Sequence, residues 1–156
     1  MSSDDSGDYS ANERLNEIIA EYLAAAEAGE APDRREFLDR HADLADELKS
    51  FFADHDKMKE LATLIGGVLS CSRPVVDKNW LPKYHQVGTS GKSVKPKVYF
   101  ALGISGSFQH MAGLSGAGTI IAVNKDRRAP IFRAADYGVV EDLFKISDAL
   151  KEKLSG

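Results

Sequence analysis

The stretch KVYFALGISGSFQHMAG, residues 97–113, decides the fold class of this chain. Its apolar run VYFALGI, residues 98–104, is typical of a strand covered on both faces of a parallel sheet. Gly103 and Gly106 let the backbone turn tightly and approach another group closely, and a helix is predicted to begin at Ser107. A strand, a glycine turn and a helix start together predict a cradle for a pyrophosphate group.

Two other interpretations of this turn must be weighed. A purely structural turn stays open, because short glycine–serine runs are common in loops. The letters GISGS are also close to the G-x-S-x-G nucleophile elbow of hydrolases, but Ser107 replaces the last glycine. His110 follows Ser105 by only five residues, whereas the histidine of a catalytic triad normally comes from a distant loop. The sequence therefore disfavours a hydrolase.

Further strands and helices are predicted on either side of this turn. TIIAV at residues 119–123 and a shorter run at 131–134 are the next predicted strands. Helices are predicted from residue 107 to about 114 and from about 139 to 154. This order predicts an α/β domain, with a small parallel sheet and flanking helices, over residues 61–156.

The amino-terminal part has a different pattern. Residues 1–10 are polar and acidic, and we expect a disordered tail there. Apolar residues recur at helical intervals over residues 11–60, which predicts a helical leader folded as a hairpin. Ser10 and Asp33 each precede a glutamate by three residues, the spacing of a capping box. Gly29 is placed to end the first helix in a left-handed conformation.

Composition limits the class of protein. Of the 156 residues, 43% are hydrophobic, which is enough for a packed core. No apolar run approaches the length needed to span a bilayer, and the acidic start does not have the pattern of a signal or transit peptide. Cys71 is the single cysteine, so an internal disulfide framework is excluded. These features favour a soluble, cytoplasmic protein without membrane contacts.

Charge is distributed unevenly along the chain. Residues 1–60 contain 7 basic and 17 acidic residues, and the remaining 96 contain 13 basic and 7 acidic residues. The basic carboxy-terminal part suits an anionic ligand, whereas the acidic leader argues against nucleic acid as a partner. His41, His55 and His85 have no metal-ligand spacing, so no metal site is predicted. No residue has the pattern of a catalytic group.

Residues 61–151 resemble the FAD-binding domain at the carboxyl end of electron transfer flavoprotein alpha subunits. The resemblance implies a truncated Rossmann-like FAD-binding domain that carries electrons from flavin dehydrogenases to an acceptor, and so an electron carrier rather than a substrate-converting enzyme. A beta-type subunit is the implied partner. The blocks that carry the resemblance are CSRPVVDKNWLP, HQVGTSGKSVKPKVYFALGISGSFQHMAG, TIIAVNKD, APIFRAADYGVVEDLF and the closing helix.

The resemblance also implies roles for individual residues. Arg73 is expected near the reactive ring, where its guanidinium would favour the anionic reduced flavin. Ser90 keeps a hydroxyl for a ring nitrogen, and His110 is expected to donate toward a pyrimidine carbonyl. Asn124 and Asp142 are expected at the adenosine end. The full implied FAD-binding set is Ser72, Arg73, Val87, Gly88, Thr89, Ser90, Ser105, Gly106, Ser107, Phe108, Gln109, His110, Asn124, Asp142 and Leu143.

The chain departs from that family in three respects. Thr89 stands where the family has an amide side chain, and no strand or Gly-Arg turn precedes the Ser-Arg pair. The leader instead resembles the helical segment that precedes some bacterial serine/threonine kinase domains, although the kinase motifs themselves are missing. Two alternatives therefore stay open. One is a helical interaction module on a degenerate α/β domain that binds no cofactor. The other is a regulator that binds only the nucleotide half of FAD.

Overall fold

The computed structural model describes residues 5–156, with side chains from Ser10 onward. The chain divides into two compact units. One comprises the residues up to His55 together with Pro74–Pro82, and the other comprises Asp56–Arg73 and Lys83–Gly156. The helices are α1 (Asp5–Glu27), α2 (Arg34–Arg40), α3 (Ala45–Leu64), α4 (Arg73–Asp77), α5 (Phe108–Ala112) and α6 (Leu143–Leu154), and the strands are β1 (Val98–Leu102), β2 (Thr119–Val123) and β3 (Tyr137–Val139).

The first unit is built from α1, α2 and the first half of α3 around an aromatic core. Tyr22, Phe37 and Phe52 are buried, with ring centroids 4.6 to 6.3 Å apart. Arg34 donates from Nε to the Tyr22 hydroxyl at 3.1 Å, and its guanidinium lies 4.6 Å from the centre of the Phe52 ring. A cation over an aromatic face adds to the hydrophobic burial, so the predicted helical leader has a core of its own.

The predicted helix ends in this unit have different outcomes. Asp33 caps α2, as its spacing predicts, because its carboxylate accepts from the amides of Arg35 and Glu36. Gly29 has φ of 77°, which confirms the left-handed end of the first helix. The predicted start at Ser10 is wrong, since α1 already begins at Asp5. The predicted tail therefore overlaps α1 from Asp5 onward, and its residues 1–4 lie outside the described residues.

The second unit contains the predicted parallel sheet. Its order is β1-β2-β3, and both neighbouring pairs are parallel, with Val98 opposite Thr119 and Ile121 opposite Tyr137. The prediction of a strand at residues 119–123 is confirmed. A buried cluster beneath the sheet includes Ala101, Leu114, Ala122 and Ile131. The α/β class with a small parallel sheet and flanking helices is therefore confirmed.

The third strand is not where the sequence pattern predicted it. Residues 131–134 were expected to be a strand, but Pro130–Arg133 is a 3-10 helix. Pro130 accounts for this, because its fixed φ and missing amide suit the first turn of a helix. The third strand is Tyr137–Val139 instead, and all three of its residues are exposed rather than covered on both faces.

The two helices that flank the sheet are shorter than predicted. α5 covers five residues, with Ser107 as its N-cap. α6 begins at Leu143 rather than near residue 139, because β3 occupies residues up to Val139 and Asp142 caps the helix. Lys57 and Glu60 on the second half of α3 pair with Asp148 and Lys151 on α6. No helix in the described part of the chain is long and apolar enough to cross a membrane.

Candidate functional site

The loops at the carboxyl edge of the sheet form a small cleft. In a parallel sheet all strands end at the same edge, so the residues that follow β1, β2 and β3 lie close together there. The cleft has a volume of about 230 Å³. Its lining residues are Gly103, Val123, Asn124, Lys125, Glu141, Asp142, Leu143 and Phe144. Asn124, Asp142 and Leu143, three of the residues predicted from the sequence, are therefore brought together.

Hydrogen bonds hold the polar side chains of this cleft in place. Asn124 donates from Nδ2 to the Ile104 carbonyl at 3.1 Å, which ties the loop after β2 to the loop after β1. Asp142 accepts from the Phe144 amide at 2.8 Å and pairs with Lys125 Nζ at 2.7 Å. The Lys125 ammonium and the backbone amides of Phe144 and Lys145 hold the pKa of the Asp142 carboxyl below its usual range. Lys125 is thus a cation at the cleft that the sequence analysis missed, although it lies within the quoted block TIIAVNKD.

The glycine turn after β1 is packed so closely that a side chain cannot be added at Gly106. This residue has φ of 88°, and a Cβ atom would lie 2.3 Å from the Ile131 amide nitrogen. The same Ile131 amide donates to the Ser105 carbonyl at 2.9 Å. The turn is therefore held against the 3-10 helix at residues 130–133, and only glycine fits at the contact.

The turn leaves a row of backbone donors unused. Within the described part of the chain, the amides of residues 105–109 donate to no backbone carbonyl. Ser105, Ser107 and Gln109 are also exposed, and the Phe108 side chain is 81% exposed. Successive backbone amides without an acceptor at a glycine turn are typical of a concave site for an anion. This arrangement fits the predicted pyrophosphate cradle.

The loop at residues 87–90 lies directly against this turn. The Thr89 amide donates to the Gln109 carbonyl at 2.9 Å. Gly88 has φ of 134°, and a Cβ atom there would lie 2.7 Å from the same carbonyl oxygen. Ser90 Oγ accepts from Gln86 Nε2 at 2.8 Å. Two segments of the predicted site, residues 87–90 and 105–110, are therefore in direct contact.

The Ser-Arg pair reaches the same region through Cys71. The Cys71 amide donates to the His85 carbonyl, and the Val87 amide donates to the Cys71 carbonyl, both at 2.9 Å. Ser72 and Arg73 follow immediately. Ser72 is half-buried, and Arg73 is the exposed first residue of α4. The backbone bridge thus places the start of this pair beside the loop at residues 87–90.

His110 and Val87 are predicted site residues whose side chains are deeply buried. His110 is 4% exposed, and its Nε2 lies 3.0 Å from the Tyr99 hydroxyl. Burial lowers the pKa of His110, and the backbone of Val87 opposes part of this effect. The imidazole is therefore held in its neutral form. Tyr99 was missed by the sequence analysis because its position in a strand marks it only as a core residue.

The lowered pKa of His110 predicts a pH dependence of stability. In the unfolded chain this histidine takes up a proton near pH 6.5, whereas in the folded chain it does so only at a lower pH. Protonation therefore favours the unfolded chain, and stability is lost as the pH falls. Below about pH 6.5 the free energy of unfolding should fall as the pH is lowered, with a slope of at most about 1.4 kcal/mol per pH unit from this group. Urea unfolding at several pH values measures this slope.

A variant separates this histidine from the other titrating groups. His110→Gln should flatten the dependence between pH 5 and 6.5 while leaving the fall at lower pH, where carboxylates such as Asp142 titrate. An equally steep slope in the variant would show that another group is responsible.

Cys71 is protected by its surroundings. The thiol is 5% exposed, and burial raises its pKa to about 11. At pH 7 its thiolate population should be about 100-fold smaller than that of an ordinary cysteine. We expect a thiol reagent such as dithionitrobenzoate to react at least 100-fold more slowly with the folded protein than with the protein in urea. Rapid labelling of the folded protein would mean that the region around Cys71 opens readily.

Among residues 10–156, no group of three or more histidine, cysteine, aspartate or glutamate side chains is arranged to hold a metal ion. The carboxyl edge offers the backbone amides of residues 105–109, and the cleft offers the Lys125 ammonium beside the Glu141 and Asp142 carboxylates. The amides fit the phosphate groups of an anionic organic ligand.

Comparison with known proteins agrees with this geometry. Residues 49–115 match the family described as the electron transfer flavoprotein FAD-binding domain. This part of the chain is therefore similar to the FAD-binding domain of electron transfer flavoprotein alpha subunits. The match takes in the Ser-Arg pair, the loop at residues 87–90 and the glycine turn after β1.

Similar proteins come from several groups of organisms. The chain is 55% identical over 97 residues to the electron transfer flavoprotein subunit alpha of Thermoanaerobacterium thermosaccharolyticum, covering 62% of this chain and 29% of that protein. It is 58% identical over 99 residues to the acryloyl-CoA reductase electron transfer subunit beta of Anaerotignum propionicum, covering 60% and 27%. A mitochondrial alpha subunit of Oryza sativa is 46% identical over 97 residues, covering 62% and 27%. The chain thus spans less than a third of the length of these relatives.

Proposed function

We propose that residues 61–156 bind FAD and carry electrons from flavin dehydrogenases to an acceptor. The observation that carries this proposal is the row of unused amides at residues 105–109, next to a turn in which only glycine fits. These donors would bind the pyrophosphate of the cofactor, whose charge needs several directed hydrogen bonds. When bound, FAD supplies the reversible electron uptake that this chain lacks by itself.

The two groups of site residues support different ends of the cofactor. The cleft formed by Asn124, Lys125, Asp142 and Leu143 would hold the adenosine end, because it offers polar side chains and an aliphatic wall at the strand ends. Backbone contacts join the loop at residues 87–90 to Cys71 and to the helix start at residues 107–110, and the predicted residues of these segments would surround the flavin ring. These are Ser72, Arg73, Val87, Gly88, Thr89, Ser90, Ser107, Phe108, Gln109 and His110.

Arg73 would tune the flavin. A fixed guanidinium near the reactive ring favours the anionic reduced state, because the charge that forms on reduction is then neutralised. Arg73 is exposed at the start of α4 and follows the backbone bridge between Cys71 and Val87, which supports a place for its guanidinium beside such a ring. We propose that these residues bind and position the cofactor.

The partners follow from the relatives rather than from the geometry. We propose that a beta-type electron transfer flavoprotein subunit covers the cofactor, since the matched part of the chain spans less than a third of the length of its relatives and Arg73, Phe108 and Gln109 of the predicted site are exposed. We also propose that residues 11–60 act as a separate helical leader, because their helices have a buried core of their own, and that the protein is cytoplasmic. The domain would lack the first strand of the family, because the strands of the described region begin at Val98.

A competition titration tests the proposal and its rivals together. Purified protein is titrated with FAD while the fluorescence of the flavin is followed, and the titration is repeated with ADP, AMP or riboflavin present. We expect saturable FAD binding that ADP weakens moderately. Equal affinity for ADP and FAD would favour the regulator that binds only the nucleotide half, and a lack of saturation by any ligand would favour the cofactor-free interaction module.

Electron carriage needs a second measurement. The FAD-loaded protein is reduced anaerobically, reoxidised with a dye such as dichlorophenolindophenol, and passed over a desalting column. We expect the flavin to stay with the protein through the whole cycle. Release of the flavin on reduction would contradict a carrier, even if the oxidised cofactor binds tightly.

A further inference from the structure

The segment that follows Arg73 in the chain is anchored on the core of the first unit. Residues 74–82 belong to that compact unit, and Trp80 packs against its buried aromatic cluster. The centroid of the Trp80 ring lies 6.1 Å from that of Phe51. The indole nitrogen donates to Oδ1 of Asn16 on α1 at 2.9 Å. A packed aromatic ring whose polar atom is also hydrogen-bonded is fixed in both position and orientation.

Backbone hydrogen bonds tie Trp80 to α4. The Trp80 amide donates to the Val75 carbonyl at 3.0 Å, and the Asn79 amide donates to the Val76 carbonyl at 2.8 Å. Asn79 has φ of 58°, in the left-handed region. These two bonds around a left-handed residue form the Schellman motif that ends a helix. Because the motif leaves no flexible linker between the helix and the indole, a displacement of Trp80 would displace α4 as well.

The short helix α4 depends on anchors at its two ends. It has only five residues, none of them buried, and a helix of this length is unstable by itself. Its first residue is Arg73, whose guanidinium is proposed to act on the flavin. On the side that precedes the helix, the backbone bridge at Cys71 holds the chain. On the side that follows it, the anchor is Trp80.

We propose that Trp80 is a positioning residue for Arg73, because its docking on the core of the first unit holds α4 where the Arg73 guanidinium can act on the flavin. The inference rests on the proposed function for the presence of that flavin. Without the anchor the guanidinium would move away from the ring, and the attraction between two charges weakens as their distance grows. The leader thereby takes part in setting the reduction potential, with Asn16 as the residue that orients the indole.

The first test is made on the full chain without FAD. Exchange of the backbone amides of residues 78–80 with deuterium is followed by NMR. In Asn16→Ala, which removes the acceptor of the indole N–H, these amides should exchange about 5-fold faster, the effect of one lost hydrogen bond, and Trp80→Leu should have a larger effect. Asn12→Ala removes an exposed amide side chain from the same helix and is the matched control. Unchanged exchange in Trp80→Leu, or an equal effect in Asn12→Ala, would overturn the proposal.

The second test is made on the FAD-loaded protein and measures the reduction potential. Trp80→Leu and Asn16→Ala should lower the potential of bound FAD, by no more than Arg73→Ala does, because they displace the guanidinium without removing it. Asn12→Ala should leave the potential unchanged. A Trp80 side chain that only stabilised the fold would lower the melting temperature of Trp80→Leu without changing the potential, and that result would overturn the proposal.

A double variant shows whether Trp80 acts through Arg73. In the Arg73→Ala protein, adding Trp80→Leu should cause no further shift of the potential and no further loss of FAD affinity. Effects that add up in the double variant would show that Trp80 acts by another route and would overturn the proposal. If wild-type protein takes up no FAD, the proposed function fails and the role of Arg73 fails with it. Normal FAD uptake with an unchanged potential in Trp80→Leu contradicts the positioning role alone.

Discussion

Replacing Gly106 with alanine is expected to abolish FAD uptake and to destabilise the second unit by at least about 3 kcal/mol, which is large for a single substitution. Two effects add up. A positive φ costs a residue with a Cβ atom about 1–3 kcal/mol. In addition, the Cβ atom would lie 2.3 Å from the Ile131 nitrogen and 2.6 Å from its Cα atom, both of them backbone atoms that cannot rotate away. Urea unfolding and FAD titration measure the two consequences.

A second glycine provides the matched control. Gly29 has φ of 77°, similar to the 88° of Gly106, but a Cβ atom there would meet nothing within 4 Å. Gly29→Ala should therefore show only the strain of the backbone, about 1 kcal/mol, with FAD uptake unchanged. If the two alanine variants were equally stable and bound FAD equally, the close packing of the turn after β1 would have no functional importance.

Removing the guanidinium at Arg73 is expected to lower the reduction potential of bound FAD or to abolish its retention. Reduction places negative charge on the flavin ring, and a fixed positive charge about 4 Å away stabilises it by about 1–4 kcal/mol, depending on how much water separates them. For a two-electron couple this corresponds to a shift of about 20–90 mV toward more negative potential in Arg73→Ala. Anaerobic equilibration with a reference dye measures the shift.

Charge-preserving and remote variants complete this experiment. Arg73→Lys keeps the charge but loses the planar guanidinium. The reduction potential of bound FAD should therefore stay close to that of the wild type, while FAD binds less firmly. Arg127→Ala removes an exposed cation in the loop after β2 and should leave the potential close to that of the wild type. Full FAD occupancy together with an unchanged potential in Arg73→Ala would contradict the role given to this residue.

Parts of the fold with a strong local signal were predictable from the sequence. The apolar run at residues 119–123 gives β2 with its predicted ends, and Asp33 caps α2 through the predicted carboxylate–amide bonds. The strand expected at residues 131–134 was wrong because Pro130 begins a 3-10 helix there. β3 could not be recognised from its pattern, since three exposed residues in YGV carry neither alternation nor an apolar run.

The site residues likewise divide into those that a local pattern predicted and those that it did not. Gly106 stood out in the sequence because a turn between a strand and a helix often needs glycine, and the structure adds the reason, its contact with Ile131. The Lys125–Asp142 pair and the Tyr99–His110 bond were missed, because each joins residues from different elements whose side chains meet only after the sheet has formed. Local pattern identifies where the chain turns, and the tertiary fold determines which side chains meet there.

The visible absorption spectrum of the purified protein, recorded after FAD is added and the excess is removed by gel filtration, tests the central claim most directly. We predict that the protein peak is yellow and carries FAD in a one-to-one ratio, and that the Gly106→Ala protein treated in parallel carries none. A colourless wild-type peak, from protein that circular dichroism shows to be folded, would contradict an FAD-binding electron carrier.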